Sequence, residues 1–555
     1  MTITSSPRSK GSFDQPSHTV EILADRCAGC QECYVRCPTG AIGFDETNWI
    51  VTANDELCVG CYQCERTCPF SAIFVHGEPQ TTPSHRHEIA HVAIPGVQPW
   101  EETRLGFASI DEVMAEAARC LECPDPTCVR GCPAHNNIPA LMHSVVEGNL
   151  DQARSIFEDT THLGSICSRV CNQGAQCEGA CSWVLAGAEA VAIGLVERYV
   201  FDNSEIHTPL PVDRSAARSV AVVGSGPAAM AACWELVGGG ASVTVYEAHS
   251  EPGGLLNHGI PEFTLPVAKV IEQWRTLQNL GVDLKLSHRV NPQELEALSQ
   301  DNTAVILAHG AGSPIKPPIE GMETGRVSDA MDFLSFTGEA LLKMEELPGL
   351  KDKTILVVGA GNTAMDVGRM AIRFGAKPIC VEWVAERFGK VRSDELAEAR
   401  AEGVEVKFLH TASKIDHQIV TLVRTKHHDA TKLPVVIADT EEEIRADYVV
   451  LALGYRLTKE FGDLAPQNPL RADPASFVDR TWLGSGIFHQ SHNSAIGPLS
   501  WSREQTTHAA RRPFAKNIYV VGDALVGPST VVEAMAQGRE AARSVLARIP
   551  DGAMA

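Results

Sequence analysis

Residues 219–229 read SVAVVGSGPAA, an apolar run that ends in GxGxxA and continues through AMAACWELVGGG, rich in good helix formers. A short run of small and β-branched residues stopped by glycine reads as a buried parallel strand. A second run, ASVTVYE, closes on Glu247, 23 residues beyond Gly224. A lone GxGxxG is weak evidence, but strand, glycine turn, helix, strand and terminal acid together specify a dinucleotide site. Gly224 makes the tight turn, Gly226 admits a pyrophosphate to the helix N-terminus, Ala229 completes the motif, and Glu247 accepts hydrogen bonds from a ribose diol.

Further along, residues 517–542 read NIYVVGDALVGPSTVVEAMAQGREAA, a strand that delivers Gly522 and Asp523 and then a helix. Two halves of one site about 300 residues apart point to FAD with another domain inserted between them. The insertion declares itself at residues 354–383, TILVVGAGNTAMDVGRMAIRFGAKPICVEW, where strand, GxGxxA, helix and strand recur. Gly359, Gly361, Asn362 and Ala364 are expected to face the phosphates of a second dinucleotide. No CxxxxC follows the first motif, which argues against a disulfide reductase.

In the other direction, residues 27–38 read CAGCQECYVRCP and residues 58–69 read CVGCYQCERTCP, one CxxCxxCxxxCP pattern twice, 31 residues apart. Three closely spaced thiolates wrap one cubane and the fourth ligates the other cluster. Cys27, Cys30, Cys33 and Cys68 are therefore assigned to one 4Fe-4S cluster, and Cys58, Cys61, Cys64 and Cys37 to a second. Zinc also takes four thiolates but favours two separated CxxC pairs. EILAD, AIGFD and SAIFV supply short strands around these loops. After a linker rich in Pro, His and Thr, the helical SIDEVMAEAARCLECP leads into Cys120, Cys123, Cys128 and Cys132, and ICSRVCNQGAQCEGACSW adds Cys167, Cys171, Cys177 and Cys181.

The order CLECPxPxCxxGCP, CxRVCxxxxxCEGAC and IGxxERY resembles the family of the glutamate synthase small subunit, the N-terminal half of dihydropyrimidine dehydrogenase and the large subunit of NADH-dependent ferredoxin:NADP oxidoreductase, and the resemblance spans residues 100–548. It implies two more 4Fe-4S clusters, four in all. Cys120, Cys123, Cys128 and Cys181 would hold one. Cys132, Cys171 and Cys177 would hold the other, with the Glu197 carboxylate as its oxygen ligand, a lever on cluster potential. Cys167, Cys233 and Cys380 are left as small buried apolar residues. The segment EPGGLLNHGIPEFTLP resembles the family's flavin contact and implicates Gly254, Leu255 and Ile260. Relatives that use NADP end the second strand of the inserted domain in Tyr-Arg-Arg, whereas this chain has Glu382, Trp383 and Val384. A carboxylate accepts from a free 2'-hydroxyl and repels a phosphate, so NAD(H) is expected over NADP(H). Arg387, Lys390 and Arg392 follow closely in sequence.

A nicotinamide moves a hydride, a cluster moves one electron, and a flavin does both, so no catalytic side-chain dyad is required. The resemblance implies an electron-transfer subunit with partners among other oxidoreductase subunits or ferredoxin. Similar fused chains serve as NAD(P)-reactive subunits of 2-oxoacid oxidoreductase complexes, and an NAD preference resembles the phenylglyoxylate-oxidising kind. A freestanding NAD(P)H:ferredoxin oxidoreductase, a donor subunit to another reductase, and a structural electron conduit with a vestigial nucleotide site are the alternatives.

Over 555 residues the net charge is -22, which disfavours nucleic acid and anionic membranes as partners. No stretch of about 18 apolar residues occurs, and the polar opening MTITSSPRSKGSFDQPSH is neither a secretory signal nor an anchor. A cytoplasmic location is expected, where 18 cysteines mean metal ligation rather than disulfides. The expected fold is multidomain. A flexible start (1–20) precedes a two-cluster ferredoxin α+β domain (21–80), a linker (81–100) and an α-helical iron-sulfur domain (101–212). Two Rossmann-like, three-layer α/β domains follow, one for FAD (213–340 and 445–555) and one for NAD(P) (341–444).

Overall fold

The computed structural model describes residues 18–77, 100–185, 188–204, 218–323, 326–343, 345, 347, 349–428, 432–457 and 517–547. They fall into two compact units. The first takes in the described parts of Met1–His87, Gly106–Thr160 and Gln173–Ile206, and the second those of Glu88–Leu105, Thr161–Asn172 and His207–Ala555. Residues 1–17 of the expected flexible start and 81–99 of the expected linker lie outside the described residues.

In the first unit the ferredoxin module repeats itself. The strand Thr19–Ile22 pairs antiparallel with Ile73–His76, and Ile42–Asp45 with Ile50–Ala53. Each cysteine loop runs into a five-residue helix, Glu32–Arg36 or Gln63–Thr67, entered through a left-handed residue, Gln31 or Tyr62. Cys33, Cys37 and Cys64 share a core with Ile42, Val51 and Ile73. His18 is fully buried against Gly60, so His18, Thr19 and Val20, counted in the expected flexible start, are part of the module. The helical module opens with a capping box at Ile110–Ala117. Ser109 Oγ accepts from the Glu112 amide, and the Glu112 carboxylate accepts from the Ala108 amide. Asn137 and Asn149 cap Ile138–Val146 and Leu150–Glu158 in the same way, through the amides of Ala140 and Gln152.

The second unit holds two five-stranded sheets of parallel strands. The first has the order Ile518–Val520, Ala304–Leu307, Ser219–Val223, Ser242–Tyr246, Asp283–Lys285. The second has the order Val327–Asp329, Tyr448–Leu451, Thr354–Val358, Lys377–Glu382, Glu405–Phe408. Four neighbouring strands follow the same order in both sheets because the same strand-helix-strand rule builds both, while the fifth, at the edge, comes last in the chain in the first sheet and first in the second. An antiparallel sheet of His410–Asp416, Ile419–Lys426, Val435–Val436 and Glu442–Arg445 is inserted in the second.

The expected domain limits need two corrections. Val327–Asp329 and Tyr448–Leu451 belong to the second sheet, with Val357 opposite Val450, so the inserted domain runs beyond 341–444 on both sides. An apolar strand such as YVVL must be covered on both faces, and here Val450 packs into one core while Val449 and Leu451 pack into another. The stretch 101–212 is also not one domain, since residues up to Leu105 and Thr161–Asn172 belong to the second unit. Charge ties the first of these there. Arg104 donates to Glu398 at 2.7 Å and to Glu395 at 2.9 Å, while Arg369 pairs with Glu398 and Glu402.

Candidate functional site

In the first nucleotide site, Gly224 has φ +101°, and a Cβ there would lie 2.4 Å from the Ala308 carbonyl oxygen, so no larger residue fits. Gly226 caps the helix Pro227–Gly238 and has open space where a Cβ would stand, room for a phosphate at a helix N-terminus. Ala229 is fully buried. The Glu247 carboxylate is buried and accepts from Ser225 Oγ and from the His249 amide (2.8 Å). Ser225 Oγ accepts in turn from the Gly253 amide at 2.9 Å, which draws the expected flavin segment onto the loop. Gly254 caps Leu255–His258, with its Cβ position 3.1 Å from Gly226 Cα. Leu255 stays exposed, and the Ile260 amide donates to its carbonyl.

The distant half of the site arrives through the helix Val531–Ala547. Gly538 meets Ala228 so closely that a Cβ would fall 2.0 Å from the Ala228 carbonyl oxygen. The Gly522 amide donates to Gln537 Oε1 at 2.8 Å, and Asp523 accepts from the Ser529 amide (2.9 Å) and hydroxyl (2.7 Å). Burial pushes the Asp523 carboxyl up to about 6. Gly224, Gly226, Gly254 and Gly522 thus converge at the carboxyl ends of the strands, where open α/β sheets bind ligands.

The second nucleotide site repeats the geometry. Gly359 has φ +115° and faces the Ala452 carbonyl, Gly361 caps Asn362–Arg373 beside open space, and Ala364 is fully buried. Asn362 Oδ1 accepts from the Arg392 amide at 2.9 Å. Glu382 accepts from the Ala360 amide (3.0 Å) and the Val384 amide (3.3 Å), and burial raises its pKa. Its position matches that of Glu247 in the first sheet. Of the nearby cations, Arg392 is bound by Asp394 and by the Val170 carbonyl, and Arg387 lies over the Phe388 ring. Burial lowers the Lys390 pKa, against the neighbouring Glu382 carboxylate.

No cysteine is joined in a disulfide. Burial, reinforced by the neighbouring thiols Cys68 and Cys30, pushes Cys33 up to about 11. Burial pushes Cys64 up to about 12, with Cys61, Cys37 and Cys58 beside it. The thiols therefore gather crosswise: Cys37 stands with the second loop and Cys68 with the first. Cys27 is half-buried, while Cys30 is exposed. In the helical module Cys120 is pushed up to about 12 by burial, with Cys123 and Cys181 near it, and Cys128 stands with the same three. Thiols held protonated by their surroundings release those protons when iron takes their place. Among the described residues no three His, Cys, Asp or Glu side chains converge on a single metal ion.

Cys132 and Cys177 are buried in the first unit, and Cys171 is buried in the second. Glu197 is buried, its Oε1 has no hydrogen-bond partner, and burial followed by the nearby Glu178 raises its pKa well above the carboxylate range. An orphaned carboxyl oxygen inside a protein is costly unless a cation or ligand site uses it. Cys167, Cys233 and Cys380 are buried, as expected.

Several contributors escaped the sequence reading. Ser182 Oγ lies 3.3 Å from Cys123 Sγ, Glu178 accepts from the Gly194 amide, and Ser225 and Gln537 orient the two halves of the first nucleotide site. Ser225, Glu178 and Ser182 stand inside or directly beside the cysteine and glycine motifs, but the motifs do not give their partners.

Two glycine loops built for dinucleotides and gathered thiol sets define a flavin- and iron-sulfur-dependent pyridine nucleotide oxidoreductase. Residues 26–72 match the 4Fe-4S dicluster domain, 97–208 the family described as dihydropyrimidine dehydrogenase domain II, 4Fe-4S cluster, and 218–467 pyridine nucleotide-disulphide oxidoreductase. The chain belongs to the family of the glutamate synthase small chain, preceded by a ferredoxin module. It is 31% identical over 474 residues to the putative oxidoreductase AegA of Escherichia coli (80% of this chain, 67% of that protein). It is 31% identical over 481 residues to the glutamate synthase [NADPH] small chain of Azospirillum brasilense (81% and 93%). It is 28% identical over 439 residues to the NAD-dependent dihydropyrimidine dehydrogenase subunit PreT of Escherichia coli (78% and 92%). No helix among the described residues is long and apolar enough to cross a membrane.

Proposed function

We propose that this chain exchanges hydride between NAD(H) and FAD and passes the electrons singly through four 4Fe-4S clusters to or from a partner oxidoreductase. When bound, the flavin supplies the switch from two-electron to one-electron chemistry. The protein's part is placement. Gly224, Gly226, Ala229, Gly254, Leu255, Ile260, Gly522 and Asp523 hold FAD with Glu247 on its ribose. Gly359, Gly361, Asn362 and Ala364 hold the nicotinamide dinucleotide. Cys27, Cys30, Cys33 and Cys68, then Cys37, Cys58, Cys61 and Cys64, then Cys120, Cys123, Cys128 and Cys181 ligate three clusters. Cys132, Cys171, Cys177 and Glu197 ligate the fourth, a set supported by the orphaned Glu197 oxygen.

One observation carries the nucleotide preference. A carboxylate, Glu382, stands at the ribose end of the strand, while Arg392 is already engaged by Asp394 and Arg387 by Phe388. Relatives divide between NADPH and NAD in their names, so this chain's own residues must decide, and they favour NAD(H). The ferredoxin module and the phenylglyoxylate-type resemblance suit an electron supply from oxidation of a 2-oxoacid, with NAD+ as acceptor. A freestanding ferredoxin reductase is the second reading, favoured by the exposure of Cys30.

Anaerobic titration of the reconstituted chain with NADH and, separately, NADPH tests the assignment. Flavin bleaching by NADH at the lower concentration, with about sixteen irons per flavin, is expected. Preference for NADPH overturns the Glu382 argument, and no bleaching by either nucleotide leaves the structural conduit as the better account.

A further inference from the structure

We propose that the cluster of Cys27, Cys30, Cys33 and Cys68 is the terminal one of the chain, and that the face around Cys30 docks a one-electron redox protein with a surface rich in lysine and arginine. This deepens the function proposed above and rests on it. The two thiol sets of the ferredoxin module have different surroundings. The set with Cys37, Cys61 and Cys64 is buried and borders the helical module: Gln63 Nε2 donates to Ser182 Oγ at 3.5 Å, and that hydroxyl lies 3.3 Å from Cys123 Sγ. This set is the inner neighbour of the Cys120, Cys123, Cys128 and Cys181 group.

Cys30 instead opens to solvent, in a concave pocket that it shares with Val35 and Arg36 and, from the edge of the helical module, Asp125 and Arg130. Tyr34, Val35 and Trp49 are 45%, 57% and 59% exposed. Trp49 packs on the cluster loop, where a Cβ on Gly29 would lie 2.4 Å from its Cδ1. Three large apolar side chains standing in water next to an exposed ligand loop are the core of a contact face. The charge around them names the partner. Residues 18–77 carry eight acidic side chains against three arginines, and the two arginines of the pocket are already paired, Arg36 with Glu32 and Asp125 and Arg130 with Asp125. Four thiolates around a cluster add further negative charge, so a cationic rim on the partner would be steered in and oriented. In the outward direction the balance is NADH plus two ferric centres giving NAD+, one proton and two ferrous centres.

Cytochrome c, a small basic haem protein, serves as the probe. Its binding to the reconstituted chain is measured by surface plasmon resonance without nucleotide, and its reduction is followed separately with NADH. Affinity should fall about tenfold or more between about 20 and 200 mM salt. Val35→Lys and Trp49→Lys should each weaken binding about fivefold or more and slow cytochrome c reduction, with NADH bleaching of the flavin unchanged. Phe336→Lys, an equally exposed site in the second unit, should do neither. Unchanged binding by Val35→Lys, salt-insensitive binding, or equal weakening by Phe336→Lys overturns the proposal. Binding that follows the expected pattern while NADH fails to bleach the flavin would instead overturn the nucleotide reading and leave the docking face standing.

Discussion

Two buried carboxyls act differently at the scale of single residues. Glu197 has one oxygen without a hydrogen-bond partner, the atom that the proposed assignment gives to iron. Glu197→Ala is expected to alter or abolish one set of cluster resonances in the electron paramagnetic resonance spectrum and leave the other clusters' signals in place. An unchanged spectrum would exclude ligation. Asp523 is held up to about 6 by burial, against 3.8 for an ordinary aspartate. The folded apoprotein therefore binds this proton more tightly than the unfolded chain does. Its contribution is favourable below about pH 4 and is lost as pH rises towards 6. Thermal unfolding of the flavin-free protein across that range should show a smaller loss for Asp523→Asn than for the wild type. Both carboxyls stood in the sequence as motif members. Their environments did not, because burial and contacts such as Ser529 on Asp523 or Glu178 beside Glu197 depend on how the loops fold back and carry no sequence period.

Among elements, the helix pair Pro227–Gly238 and Val531–Ala547 joins the two halves of the flavin site, and the contact is backbone against backbone at Gly538 and Ala228. Gly538→Val should force the helices apart and reduce the FAD bound per chain at least tenfold, measured by flavin absorbance after desalting. The glycine loops and their strands were legible because the chemistry of a phosphate turn is local. The edge strand Val327–Asp329 was not: three residues, VSD, carry no period, and only pairing with Tyr448–Leu451 makes them a strand. Arg104 was equally silent, since its meaning lies in Glu395 and Glu398, almost 300 residues away. Removing one partner of a buried ion network leaves charge unpaired, so Arg104→Ala should cost about 3–5 kcal/mol. Differential scanning calorimetry should register the loss in the transition of the second unit.

For the whole molecule, the glycine loops and the thiol sets come from different stretches of the sequence, so the two proposed activities should be divisible. Chelating iron from the chain while retaining FAD should leave flavin bleaching by NADH intact and eliminate reduction of cytochrome c. Loss of both together would mean that the clusters support the nucleotide sites. The sequence disclosed which modules exist, because each is written in a compact motif. It did not disclose their limits, since residues near Arg104 and the stretch Thr161–Asn172 are counted with the second unit although their neighbours in sequence belong to the first.

The crosswise gathering of Cys37 with the second loop and Cys68 with the first carries one more consequence, for how the protein is made. Neither half of the ferredoxin module contains a full set of the proposed ligands, so a ribosome that has released only the first repeat presents three thiols of one set and one of the other. With those proposed ligand sets, cluster loading waits for the chain around Cys68, and a truncation between the repeats should forfeit both clusters rather than one.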